Sequence, residues 1–103
     1  SSVVHEFAHW LEDVRPDLLK AALEFRARRT AGERPQWLGK GYKRAETALR
    51  DKFLDAYVGK LYLGDRGTEV LSMGLQYLYD DPARLAREDP DMFDWLVGLL
   101  RRL

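Results

Sequence analysis

At 103 residues, with 46% hydrophobic and 33% charged side chains, the chain has the size and composition of one folded domain, which excludes disorder. Lysine plus arginine equals aspartate plus glutamate, 17 against 17, so the chain as a whole carries no electrostatic footprint for nucleic acid. Cysteine is absent, which excludes a disulfide framework and thiolate ligands, and no stretch approaches the roughly 20 apolar residues of a membrane span.

The first predicted element is a helix over residues 2–13. Val4, Phe7, Leu11 and Val14, with Ala8 beside them, follow the spacing of a core-facing stripe, and Trp10 reads as packing. Pro16 suits the first turn of a second helix, reaching about Arg29, with an apolar row of Leu18, Ala22 and Phe25 widened by Leu19 and Leu23. The basic runs at 26–29 and 101–102 read as solvated helix C-termini. Residues 30–43 form a glycine-rich loop whose Trp37 and Tyr42 plug a core edge. Residues 44–51 read as a short helix, and 52–63 as a small strand or hairpin closed by Gly64-Asp65-Arg66-Gly67. Thr68 then caps a helix that runs from Glu69 to about Tyr79, so the element spans 68–79. Two Asp-Pro pairs, at 81–82 and 89–90, open helices over about 82–88 and 90–102, the last with Phe93, Leu96, Val97 and Leu100 inward. The expected fold is mainly α with a small β element, in a single domain over 1–103.

Both histidines of the chain lie in the first helix, as His5-Glu6-Phe7-Ala8-His9. From composition alone, the H-E-x-x-H pattern arises by chance on the order of once in a thousand such chains. Residues four apart on a helix lie about 40° apart around the axis and about 6 Å along it, so both imidazoles reach one ion. With histidines as ligands and no thiolate, that ion is expected to be Zn²⁺. Glu6, about 100° round from His5, misses the ion but is placed to act as general base and acid on attacking water. Asp13, or Glu12, is placed to accept the free ring N–H of His9. A third ligand must be a carboxylate, and the candidates are Glu69, Asp65, Asp55 and Glu46. Glu69 stands out because Val70, Leu71, Met73 and Leu75 bury its helix, although a first-turn glutamate is also favoured by the helix dipole.

With a glutamate following the motif in a new helix, the chain resembles the gluzincin branch of the zincin metallopeptidases. It is more closely similar to the catalytic domain of anthrax lethal factor and related toxin-type peptidases, where an H-E-F-G-H helix precedes the helix carrying the glutamate. A tyrosine stands seven residues before that glutamate in the family, and Tyr62 stands seven before Glu69. The stretch 67–79, "GTEVLSMGLQYLY", also resembles domains of phage and mobile-element proteins. The resemblance covers about residues 3–13 and 57–80, with Ala8 where the family often has glycine. It implies Glu69 as third ligand and Tyr62 as donor to the oxyanion, with Tyr57 as the alternative donor. It further implies a zincin-like fold, a bound zinc ion, a protein or peptide substrate, and hydrolysis of peptide bonds by a zinc-activated water.

Zincins of this kind carry a substrate-holding sheet upstream of the motif helix, and here the motif begins at residue 5. The expectation is therefore the C-terminal part of a longer parent chain, with residues 1–103 binding zinc but cleaving peptides poorly alone. The alternative is a zinc-binding interaction module without turnover, inside a larger phage or toxin protein. With neither a signal-peptide pattern nor a disulfide framework, the compartment stays open, with an intracellular setting favoured.

Overall fold

Five α-helices, a two-stranded sheet and one 3-10 turn are found among the residues that the computed structural model describes, namely 2–49, 53, 55–62, 64 and 67–103. In chain order the helices are α1 (Ser2–Val14), α2 (Pro16–Arg29), α3 (Val70–Asp80), α4 (Pro82–Glu88) and α5 (Pro90–Arg101). Strands β1 (Gln36–Trp37) and β2 (Thr47–Ala48) lie between α2 and α3. The protein is mainly helical with a small β element, as expected. Among the described residues no helix is long and apolar enough to cross a membrane.

Helix starts follow local chemistry. Pro16, Pro82 and Pro90 occupy first-turn positions, where a missing N–H costs no intrahelical bond. Asp81 Oδ1 accepts the Arg84 amide at 3.1 Å, and Asp89 Oδ1 accepts the Met92 amide at 3.2 Å, so both Asp-Pro pairs cap as predicted. The start of α3 is shifted by one residue from the prediction: the helix begins at Val70 with Glu69, not Thr68, at the N-cap position, and Thr68 Oγ1 accepts the Val70 amide at 3.2 Å from one residue further upstream.

The segment between α2 and α3 departs from the prediction. Instead of a short helix over 44–51, Thr47–Ala48 pair antiparallel with Gln36–Trp37, Gln36 opposite Ala48; residues 50 and 51 lie outside the described residues. The strand expected over 52–63 is, where described, a 3-10 turn at Ala56–Gly59 and a single bridge from Lys60 to Ala48. Residues 52, 54 and 63 of that segment lie outside the described residues. Strand propensity loses here to local capping, since the Asp55 carboxylate accepts the Tyr57 amide at 2.9 Å and winds the chain into a turn. Gly59 lets that turn touch β2's end: the Leu49 amide donates to Gly59 O at 2.8 Å, and a Cβ at 59 would sit 1.7 Å from Leu49 O. Gly59→Ala is therefore expected to cost about 2–3 kcal/mol or more in urea unfolding, and an unchanged midpoint would contradict this contact.

The core joins Leu18, Ala22 and Phe25 of α2 to Val70 and Leu71 of α3, Leu85 of α4, and Met92, Leu96 and Leu99 of α5, with Val58 and Ala8. The α2 row is the predicted one. In α5, Leu96 is inward as expected, but Met92 and Leu99 are its fully buried neighbours, while Phe93, Val97 and Leu100 are half-buried. The basic run at the end of α2 is not simply solvated. Arg26 is buried and donates to Lys60 O at 3.2 Å, and Arg29 pairs with the buried Asp89 at 2.9 Å.

The largest correction concerns α1. Phe7, Trp10 and Val14 are about half exposed, at 51%, 55% and 49%, and Phe7 stacks on Trp10 outside the core. Ala8 is buried as expected, and Val4 and Leu11 are half-buried, with Leu11 packed against the core, but the other buried residue of α1 is Glu12, flanked by half-buried His5 and His9. The reason is polar satisfaction. His5, His9 and Glu12 all have their partners on α3 or on Thr68 and Glu69 just before it, so this line faces inward and turns the Phe7 and Val14 side of the stripe toward solvent.

Candidate metal centre

The site is built where α1 packs on α3, the most extensive helix pair in the protein. His5 and His9 stand one turn apart on α1, their ring planes at 66° and centroids 4.8 Å apart. Both Nε2 atoms point at one carboxylate oxygen. His5 Nε2 lies 3.0 Å and His9 Nε2 3.1 Å from Glu69 Oε1, and the two Nε2 atoms are 3.2 Å from each other. Of the three candidate carboxylates among the described residues, Glu69 is the one brought to the histidines. Asp55 is exposed and caps the 3-10 turn, Glu46 lies in the turn before β2, and Asp65 lies outside the described residues. Among the described residues, His5, His9 and Glu69 are the one group of three that could hold a metal ion.

The residues around these three atoms orient them. His5 Nδ1 lies 3.3 Å from Gln76 Oε1; donating its N–H there leaves Nε2 with a free lone pair. Glu69 is 1% exposed and fully engaged. Ser72 Oγ donates to Oε1 at 2.7 Å, Tyr57 Oη donates to Oε2 at 3.1 Å, and Tyr62 Oη donates to the same Oε2. Burial alone would raise the Glu69 pKa, but the Ser72 and Tyr62 hydroxyls and the neighbouring His9 and His5 hold it below its ordinary value. Burial and the hydrogen bond to Glu69 push the Tyr62 phenol far above its usual range, and burial raises Tyr57 as well, so both remain protonated donors.

This donor set fits a zinc ion. The three atoms form a triangle with edges of 3.0–3.2 Å, and with both ring protons on Nδ1 all three are acceptors that one cation would satisfy together. A tetrahedral ion with ligands at about 2.0–2.1 Å holds them about 3.3 Å apart, close to this triangle. Two nitrogens and one oxygen form a catalytic-type set, which leaves a fourth position open. A cavity of about 310 Å³ lies beside the triangle, lined by His9, Glu12, Asp13, Tyr62 and Gly67.

Glu6 is exposed on α1, outside the triangle. Glu12, not Asp13, approaches His9, with Oε1 3.9 Å from Nδ1; Asp13 is exposed at the cavity wall. Trp37 and Tyr42 support the loop. Trp37 Nε1 donates to the Tyr42 and Lys43 carbonyls, each at 3.1 Å, and Tyr42 stacks on Tyr57 at 6.0 Å. Ser72 and Gln76 were not anticipated, although the signal existed: with Glu69 they stand at i, i+3 and i+7, a polar line on an apolar helix. Compared with known proteins, the chain matches no family model, and no curated protein or solved structure is significantly similar to it.

Proposed function

We propose that this chain is a zincin-type metallopeptidase domain that holds one zinc ion with His5, His9 and Glu69 and hydrolyses peptide bonds. The observation that carries the reading is the convergence of His5 Nε2, His9 Nε2 and Glu69 Oε1 beside an open cavity. Zinc held by such a set supplies Lewis acidity, which polarises a carbonyl and lowers the pKa of water to about 7.

The chain's own residues do the rest. Glu6 takes the proton of the attacking water and delivers it to the leaving amine. Its place one residue after His5, on the exposed flank of α1, keeps it off the ion and available for that exchange. Gln76 and Ser72 hold His5 and Glu69 in position, so the ligands need no rearrangement when charge develops. Tyr57 and Tyr62 share one oxygen of Glu69, so Tyr57 can keep that oxygen satisfied while the Tyr62 hydroxyl turns to donate to the oxyanion.

The test is a digest of a mixed peptide library by zinc-loaded protein, repeated after chelation and after zinc is returned. Cleavage that disappears with the chelator and returns with zinc supports the reading. Cleavage indifferent to the chelator contradicts it, and zinc uptake without cleavage, in a longer parent chain as well as in residues 1–103, selects the interaction module instead.

A further inference from the structure

Glu12 is buried at 3% exposure, yet it is neither in the ligand triangle nor on an exposed flank of α1. A carboxylate in such a place must be hydrogen-bonded, and both of its oxygens are. Oε1 accepts the Thr68 amide at 3.1 Å and Oε2 accepts the Thr68 hydroxyl at 2.6 Å, a contact between residues 56 apart in sequence. The Thr68 hydroxyl oxygen in turn accepts the Val70 amide at 3.2 Å. Glu69 lies between these two anchored residues. The first turn of the helix that carries the third ligand is thus clamped to the helix that carries the two histidines.

Resting on the metal-centre reading above, we infer that Glu12 is a positioning residue, which sets metal affinity by fixing Glu69 relative to His5 and His9 through Thr68. Two routes could connect Glu12 to the site. One is the clamp. The other is its charge, since Oε1 lies 3.9 Å from His9 Nδ1, beyond hydrogen-bond distance. The clamp has the shorter and better-directed contacts, and it acts on the one ligand that comes from a different part of the chain. Without it, the backbone at 67–69 has lost its side-chain tie to α1, and the Glu69 oxygen no longer has a fixed place opposite the imidazoles. Ligands held by outer partners of this kind typically lose 10–100-fold in metal affinity when the partner is removed.

The experiment measures zinc affinity by competition with a chelating dye for wild type, Glu12→Ala, Glu12→Gln, Thr68→Val and the double variant Glu12→Ala/Thr68→Val. Amide hydrogen exchange at Thr68 and Val70 is followed in each metal-free protein. Glutamine keeps an acceptor for the Thr68 amide, but its N–H₂ faces the Thr68 hydroxyl, which in wild type donates to Oε2, so it weakens one of the two ties as well as removing the charge. Expected are an affinity loss of about 10–100-fold in Glu12→Ala, a clearly smaller loss in Glu12→Gln, which keeps the tie to the Thr68 amide, and non-additive losses in the double variant. Loss of affinity should track faster exchange at Thr68. Should Glu12→Ala not fold, Thr68→Val decides: it is expected to weaken zinc with faster exchange at residue 68, while Glu12 and its charge beside His9 are retained. Wild-type affinity in Glu12→Ala or in Thr68→Val overturns the inference, as does Glu12→Gln binding as weakly as Glu12→Ala, which would assign the effect to charge beside His9. Wild type that takes up no zinc overturns the metal reading itself and the inference with it. Unchanged affinity with altered exchange overturns the inference alone.

Discussion

Glu6→Gln is expected to bind zinc as wild type does and to lose about 10²–10⁴-fold in kcat for peptide hydrolysis. Glu6 is exposed and outside the triangle of His5 Nε2, His9 Nε2 and Glu69 Oε1, so an isosteric change there leaves the ligand set intact. A surface substitution of this kind also leaves stability within about 0.5 kcal/mol. What glutamine cannot do is carry a proton. A step that needs the proton of water removed and then delivered to the amine therefore loses its carrier, while substrate and zinc binding are unaffected. The measurement is kcat and KM on a cleaved peptide beside zinc content on the same preparation. Turnover equal to wild type would move the base elsewhere, and loss of zinc would make Glu6 a ligand.

Glu69→Gln is expected to abolish the stabilisation of the protein by zinc. A ligand present at a thousand times its Kd stabilises a folded chain by about 4 kcal/mol, which for a domain of this length raises Tm by roughly 15–30 °C. Wild type should show that rise. The variant replaces the one oxygen facing both imidazoles with an uncharged amide, so its melting should be indifferent to zinc. Its metal-free form should also melt lower by the equivalent of about 1–3 kcal/mol, because Ser72, Tyr57 and Tyr62 are matched to a carboxylate and not to an amide N–H₂. Differential scanning calorimetry with and without zinc reads both effects. A zinc-dependent rise retained in Glu69→Gln would place the third ligand elsewhere.

The readable parts of the fold were those in which one local rule sufficed. The Asp-Pro pairs and Pro16 carry their own helix starts, and Leu18, Ala22 and Phe25 carry the α2 core row. The pairing of β2 with β1 was not readable, because strands of two residues carry no periodicity, and the contact at Gly59 exists only in three dimensions. The apolar stripe of α1 was readable at Ala8 and Leu11 but not at Phe7 and Val14, for a related reason. Periodicity reports which face is apolar, but the buried partners of His5, His9 and Glu12 lie more than fifty residues away and outweigh it. The same distance explains Glu12 over Asp13: spacing allows either acid near His9, and only the position of Thr68 distinguishes them. His5, His9 and Glu69 were accessible because the motif and the buried acid each carry chemistry in sequence, and the structure brings those three atoms within 3.2 Å of one another.

The central claim is that these three atoms bind one zinc ion, and X-ray absorption at the zinc edge on reconstituted protein tests it most directly. The account predicts about one zinc per chain, with two imidazole nitrogens at about 2.0–2.1 Å and carboxylate oxygen at about 2.0–2.2 Å, and one imidazole lost from the spectrum in either His5→Ala or His9→Ala. Protein that takes up no zinc, or a zinc spectrum without imidazole scattering, would contradict it.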